Sequence, residues 1–319
     1  MVLLLGATGY IGTAFAEELA RRGREFRPVS RSETDYTRFG PLLDLLRRTK
    51  PEFLVNCAGF TGRPNVDACE AAKADTLLGN ALLPQTVAHA CAAAGVPWGH
   101  VSSGCIYTGA KIRDVEGRWS TVKDLMRPDL LATIRADRGR LRGFTEEDAP
   151  NFSFRAPPCS FYSGTKALGE EAVVGIGESY VWRLRIPFDG HDGARNYLSK
   201  VQRYAKVYDN VNSVSHRGDY ASACLDCWEK RVPWGIYNVT NPGWVTTRDV
   251  VDLVQKHVAP HRSFEYWSDD AEFYQVAAKT PRSNCVLDTG KLLAAGIRIR
   301  SVDEALEHSL KNWVSEATL

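Results

Sequence analysis

Apolar runs alternate with amphipathic segments through the first third of the chain. VLLLG (2–6) leads into IGTAFAEELARRG (11–23), whose apolar positions recur at helical spacing and which ends on glycine. EFRPVS (25–30) is a second run, a helix is predicted over 41–49, and EFLVNCAG (52–59) is a third run. A long helical stretch over 65–94, interrupted near Pro84, closes at Gly95, and WGHVSSG (98–104) predicts a fourth strand. Strand and helix in this order predict a Rossmann-type, doubly wound α/β fold, a parallel sheet with helices on both faces.

Between 108 and 143 the alternation gives way to a polar, arginine-rich stretch with Gly109, Gly117, Gly139 and Gly143. It reads as a long loop, functional or mobile. FYSGTKALGEEAVV (161–174) restores a helix and YVWRLRIPF (180–188) a strand. Beyond 188 the order is irregular, with helices predicted near 196–206, 219–231, 246–257 and 302–316 and short strands at 235–240 and 263–267. The expected organisation is a Rossmann domain over 1–188, with segments returning near 210–240, and a smaller, mostly C-terminal α/β substrate lobe over 189–319.

Composition narrows the function classes. The 319 residues carry a net charge of +2 with 24% charged residues, which excludes a basic sheath for nucleic acid and an acidic tail. No apolar run reaches membrane-spanning length, and MVLLLG lacks the basic start and long apolar core of a secretory signal. A cytoplasmic protein is expected, without membrane or nucleic-acid partners and, as an ordinary case, a homodimer. The eight cysteines follow no framework spacing and read as free thiols. Cys224 and Cys227 form the one CxxC, but no second Cys or His pair completes a zinc site, so no metal is expected.

GATGYIG places Gly6, Gly9 and Gly12 where the first strand turns into the first helix, with Thr8, Tyr10 and Ile11 between them. Such glycines permit a tight turn and close approach of backbone to a pyrophosphate, and the helix start supplies N–H donors. Ala58 and Gly59, at the exit of the third run, are expected beside them. At the tip of the second run stand Ser30, Arg31 and Ser32 rather than an acid for a ribose 2′-hydroxyl. That set suits a 2′-phosphate, so NADP(H) is expected, with NAD(H) as the second choice.

Hydride transfer to a carbonyl needs a proton donor for the developing alkoxide. Tyr162 and Lys166 stand at i, i+4 on a predicted helix, where the ammonium favours the phenolate and can also hold a nicotinamide ribose. A second YxxxK, Tyr107–Lys111, contains Gly109 and directly follows a strand, which disfavours a helix. Ser103, at the tip of the fourth run, completes a Ser–Tyr–Lys set.

GATGYIG, NCAG (56–59), VSSG (101–104), YSGTK and LRIPF together resemble the extended short-chain dehydrogenase/reductases. NCAGFTGRPNVDACE (56–70), GCIY (104–107), FTEEDAPNF (144–152), NYLSKVQRY (196–204), YNVTNPG (237–243) and PRSNCVLDTGKL (281–292) are similar to the 3,5-epimerase/4-reductase branch that completes UDP-L-rhamnose synthesis. More loosely, they resemble the dTDP-4-keto-rhamnose reductases. The resemblance implies a nucleotide-sugar lobe and an NADPH-dependent epimerase/reductase of a nucleoside-diphosphate 4-keto-6-deoxyhexose. It assigns Cys105 and Lys200 as the epimerising base and acid, and gives Ser103, Tyr162 and Lys166 the reduction. It also places Arg63, Asn65, Gly104, Arg195, Asn196, Arg282 and Asn284 toward the substrate. The long 108–143 stretch departs from the pattern. Two alternatives stand beside this reading: a 4-ketoreductase without epimerase activity, and a non-catalytic dinucleotide-binding subunit.

Overall fold

The computed structural model describes residues 1–315, so the last residue of the helix expected over 302–316 lies outside the described residues. The chain opens with β1 (Val2–Leu5), α1 (Tyr10–Arg21), β2 (Phe26–Val29), α2 (Phe39–Thr49) and β3 (Phe53–Asn56). Next come two short helices, α3 (Ala68–Ala71) and α4 (Lys73–Leu77), a π-helical segment (Leu78–Leu82), α5 (Leu83–Ala94) and β4 (Trp98–Ser103). The helical stretch expected over 65–94, with one interruption near Pro84, is therefore four pieces. Its main break is at Ala72, where the backbone turns to φ −112° and ψ 53°. The switch from the π-helical segment to α5 falls at Leu82–Leu83, beside Pro84, which stands in the first turn of α5.

The chain forms two compact units. The first comprises Met1–Ile106, Pro150–Arg183 and Ala221–Tyr237. Its six-stranded sheet runs in the order Gly235–Asn238, β8 (Ser179–Leu184), β4, β3, β1, β2, and β2, β1, β3 and β4 pair in parallel. Side chains alternate across it. Leu3, Leu5, Leu54, Trp98 and Val181 join Leu42, Leu46, Val87 and Cys91 of α2 and α5 in one buried cluster. On the opposite face Trp182 stacks on Phe15 of α1, and Phe53 stacks on Trp228. This is the doubly wound arrangement the alternation predicts. Chain order reverses between β1 and β3, which opens a crevice at their carboxyl ends.

The second unit comprises Tyr107–Ala149, Leu184–Tyr220 and Asn238–Leu319. The stretch 108–143, expected as a loop, is folded. It holds β5 (Ala110–Arg113), β6 (Trp119–Val122), α6 (Pro128–Ala136) and β7 (Leu141–Arg142), with β5 between the other two in an antiparallel sheet. Ala110 and Ile112 face inward while Lys111 and Arg113 do not, and Leu125, Ile134 and Leu141 pack with them. The strands are too short, and the arginines too dense, for the period to stand out in the sequence. A second cluster gathers Phe188, Leu198, Val250, Val254, Val302 and Leu306.

Candidate active site

The first unit places most of the expected cofactor and reaction residues around the strand ends of its sheet. Gly6 follows β1 with φ +72°, a left-handed conformation that favours glycine. A Cβ there would also lie 2.6 Å from the amide nitrogen of Ala58, so the β1 and β3 exits press together backbone to backbone. Gly12 is tighter: its Cβ would fall 2.1 Å from the Gly6 carbonyl oxygen. Gly9 caps α1 in extended conformation with no side-chain acceptor. The helix start thus keeps N–H donors for an anion, and the residues present fit a dinucleotide pyrophosphate.

At the tip of β2, the Ser30 and Ser32 hydroxyls lie 2.9 Å apart. Glu33 is the acid nearest this tip in sequence, and it is engaged by Arg27. Arg31 is exposed and makes no hydrogen bond or ion pair among the described residues, which leaves its guanidinium available for a phosphate.

Ser103 ends β4 at 8% exposure, and its Oγ accepts the amide N–H of Cys105 at 3.2 Å. Gly104 and Cys105 lie in the 3₁₀ turn Gly104–Ile106, and Cys105 is buried. Tyr162 and Lys166 sit one turn apart on α7 (Phe161–Val173). Two caps fix that helix start. Ser160 Oγ accepts the Ser163 N–H at 3.1 Å, and Glu70 accepts the Phe161 N–H at 2.7 Å. Tyr162 is half-buried. The Lys166 ammonium is buried, donating to the Val101 carbonyl at 3.4 Å and lying 3.5 Å from where a Gly59 Cβ would stand. Burial holds its pKa below the usual lysine value, opposed by Cys105, Glu170 and Cys57. Tyr107, by contrast, donates its hydroxyl to the Asp148 carbonyl at 2.6 Å and stacks on Phe144, and Lys111 is on β5, paired with Asp148. That YxxxK is not helical.

Several further residues support the site. Asn56 Oδ1 accepts the Ala58 N–H at 3.0 Å, which leaves its amide to donate to His100 Nδ1 at 3.2 Å. His100 is thus the Nε2–H tautomer, and burial drives its pKa well below the usual value. Asn80, within the π-helical segment, accepts the Phe60 N–H and donates to the Phe60 carbonyl and Thr165 Oγ. It ties the β3 exit to α7. The NCAG motif hints at Asn56; Asn80 and His100 pair with residues too distant in sequence to be found from it.

The remaining expected residues are mostly set by local structure. Arg63 is exposed, and Asn65 Oδ1 accepts the Asp67 N–H at 2.8 Å. In the second unit Asn196 is fully buried. It caps the helix Tyr197–Arg203 by accepting the Leu198 N–H, while its amide donates to Asp189 and to the His191 carbonyl. Lys200, on that helix, is half-buried without a hydrogen bond or ion pair on Nζ among the described residues; burial, then Arg195, lowers its pKa. Arg282 and Asn284 lie on a late segment, where Tyr274 Oη accepts the Arg282 N–H and Asn284 Oδ1 accepts from Asn212.

The RmlD substrate binding domain model matches residues 1–315. The chain belongs to this family. A bifunctional dTDP-4-dehydrorhamnose 3,5-epimerase/dTDP-4-dehydrorhamnose reductase from Arabidopsis thaliana is 30% identical over 305 residues, covering 95% of this chain and 90% of the relative. A trifunctional UDP-glucose 4,6-dehydratase/UDP-4-keto-6-deoxy-D-glucose 3,5-epimerase/UDP-4-keto-L-rhamnose-reductase from the same plant is 28% identical over 95% of this chain, which spans 40% of that relative's length. In fold, the chain matches the crystal structure of a UDP-rhamnose synthase from Acanthamoeba polyphaga mimivirus with a TM-score of 0.81, 20% identity and 98% coverage of both chains. A Bacillus anthracis dTDP-4-dehydrorhamnose reductase, solved in complex with NADP, matches with a TM-score of 0.74 at 18% identity over 96% of this chain and 97% of that one. Among the described residues no helix is long and apolar enough to cross a membrane, and no group of three or more His, Cys, Asp or Glu could hold a metal ion.

Proposed function

We propose that this protein reduces the 4-keto group of a nucleoside-diphosphate 4-keto-6-deoxyhexose, and that it first epimerises carbons 3 and 5. NADP(H), with NAD(H) as the weaker choice, supplies the hydride. The observation that carries this reading is the Lys166 ammonium, buried between the Gly59 turn and the Val101 carbonyl, with Tyr162 one turn earlier on the same helix. A buried cation at that point lowers the cost of the phenolate, so Tyr162 gives its proton to the developing alkoxide. Ser103 donates its hydroxyl hydrogen to the same oxygen, while one of its two lone pairs accepts the Cys105 N–H.

Epimerisation beside a ketone needs a base to take the proton and an acid to return one on the other face. Cys105 and Lys200 are the residues for these roles. A lysine whose pKa is lowered by burial gives up its proton more readily than an exposed one. In this reading the first unit holds the dinucleotide, the second binds the nucleotide sugar, and the protein works as a cytoplasmic homodimer. Incubating the protein with NADPH and a UDP- or dTDP-linked 4-keto-6-deoxyhexose, and following the nicotinamide absorbance, tests the reduction. Loss of absorbance with formation of the 6-deoxy-L-hexose is expected. No oxidation of NADPH with either nucleotide would refute it, and NADPH oxidation only with the pre-epimerised sugar would leave a plain reductase.

A further inference from the structure

Glu170 stands one turn beyond Lys166 on α7, as Lys166 stands one turn beyond Tyr162. Its carboxylate is closed off from water by two side chains. Ser102 Oγ donates to Oε1 at 2.5 Å; Arg183 approaches through Nε at 3.1 and 3.0 Å and through Nη2 at 2.7 Å. Exposure is 1% for Ser102, 2% for Arg183 and 4% for Glu170. Ser102 immediately precedes Ser103 on β4, and Arg183 lies on β8. One carboxylate thus binds the helix of Tyr162 and Lys166 to the strand of Ser103.

Stability alone gives a weak account of this pair, because well-packed apolar residues often replace a buried ion pair without loss. Its location gives a stronger one. Lys166 is faced by the Cys57 thiol and Gly59 from the β3 exit, by His100 and the Val101 carbonyl from β4, and by the Cys105 thiol from the 3₁₀ turn. From α7 itself come Tyr162 and Glu170. Burial keeps His100 and Cys57 neutral, so Glu170 is the carboxylate among these groups.

We propose that Glu170 and Arg183 are a positioning pair for the reaction: Glu170, one turn along the same buried helix, supports the charge on Lys166, and Arg183, with Ser102, fixes where Glu170 stands. This inference rests on the reading of Tyr162 and Lys166 as the proton-donating couple. Removing Glu170 takes away an anion and leaves Arg183 cationic, which disfavours protonated Lys166. Removing Arg183 leaves the anion uncompensated and favours it.

The test is the titration of Lys166 in the cofactor-free full chain, by lysine-selective ¹³C NMR, with the resonance assigned through its loss in Lys166→Met. Glu170→Gln should lower the midpoint and Arg183→Met should raise it, each by about one pH unit. Glu170→Asp and Arg183→Lys keep the charges and should keep the wild-type midpoint. The double variant Glu170→Gln/Arg183→Met, which buries no net charge, should fall between Glu170→Gln and wild type. It carries the comparison if a single variant fails to fold. The alkaline limb of kcat for ketosugar reduction should move with the NMR midpoint. An unmoved midpoint in Glu170→Gln or in the double variant, or a shift of the same sign in both single variants, would overturn the pair as an electrostatic device. A wild type that reduces no ketosugar, yet shows the opposite shifts, would support the pairing and overturn the proposed function instead.

Discussion

The glycine turn offers a test in which one kind of substitution meets two opposite environments. In Gly12→Ala the new methyl would stand 2.1 Å from the Gly6 carbonyl oxygen and 2.8 Å from Ala7 Cα, where real Cβ atoms essentially never come within 3.0 Å of a neighbour. The Gly6 carbonyl must therefore retreat by about 1 Å, and it also accepts the Gly9 N–H at 3.0 Å. Overpacking of this kind costs roughly 1–3 kcal/mol, and a lost hydrogen bond about 1 kcal/mol more. Alanine's helix preference returns about 0.8–1 kcal/mol, so the net loss should be about 1–3 kcal/mol. The same retreat misaligns the turn that would receive the pyrophosphate. With one or two charge-assisted contacts weakened, NADPH affinity should fall roughly 10–100-fold. Gly40, in the first turn of α2, has no atom within 4 Å of its would-be Cβ, and Gly40→Ala should gain about 0.5–1 kcal/mol with NADPH binding unchanged. Urea denaturation gives the stabilities and NADPH fluorescence titration the affinities. A Gly12→Ala protein of wild-type stability that binds NADPH within twofold of wild type would refute the close-approach account.

Four further outcomes are expected. Arg31→Ala should weaken NADPH by about 1.5–3 kcal/mol, the range for a hydrogen bond to a charged group, and NADH much less; equal losses in a titration with both cofactors would remove the 2′-phosphate assignment. Tyr162→Phe should abolish reduction while NADPH binding persists, whereas Tyr107→Phe should reduce normally but lose about 1 kcal/mol with its bond to the Asp148 carbonyl; the reverse pattern would assign the proton to Tyr107. His100 is buried neutral and its pKa is depressed, so the unfolded chain takes up a proton near pH ~6.5 that the folded chain refuses. Its contribution is complete above that pH and is lost at up to about 1.4 kcal/mol per unit as the pH falls below it; urea melts of wild type and His100→Gln should diverge in slope below pH ~6.5, and parallel slopes would contradict this. Cys105→Ala should suppress deuterium uptake at carbons 3 and 5 by about 10²–10⁴-fold in heavy water while sparing reduction of a pre-epimerised ketosugar; unchanged uptake would leave Cys105 as packing.

What the sequence discloses about this molecule divides by the range of the interaction. The glycine turn and the Tyr162–Lys166 spacing are legible because their chemistry is local: a turn needs glycines within seven residues, and a helix face needs i, i+4. The doubly wound sheet is legible for the same reason, since the central strands β1, β3 and β4 are buried on both faces and β1 and β3 read as near-continuous apolar runs. The three-stranded sheet at 108–143 fails that criterion. Its strands have two to four residues, β6 leaves Trp119, Ser120 and Thr121 exposed, and only Ala110, Ile112 and Leu141 carry the buried positions. The supports of the site fail it differently. Asn80 reads as a helix interior residue until Phe60 and Thr165 are brought beside it, and Glu170 as a solvated helix charge until Arg183 and Ser102 enclose it. Each becomes informative only through a partner 13 to 85 positions away. Burial then changes the meaning of the residue type. An exposed glutamate at i+4 from a lysine is worth a few tenths of a kcal/mol, whereas one at 4% exposure can neither reach water nor leave its partners. The Tyr162–Lys166 couple is therefore legible from spacing, but the groups that would fix its charge need the fold.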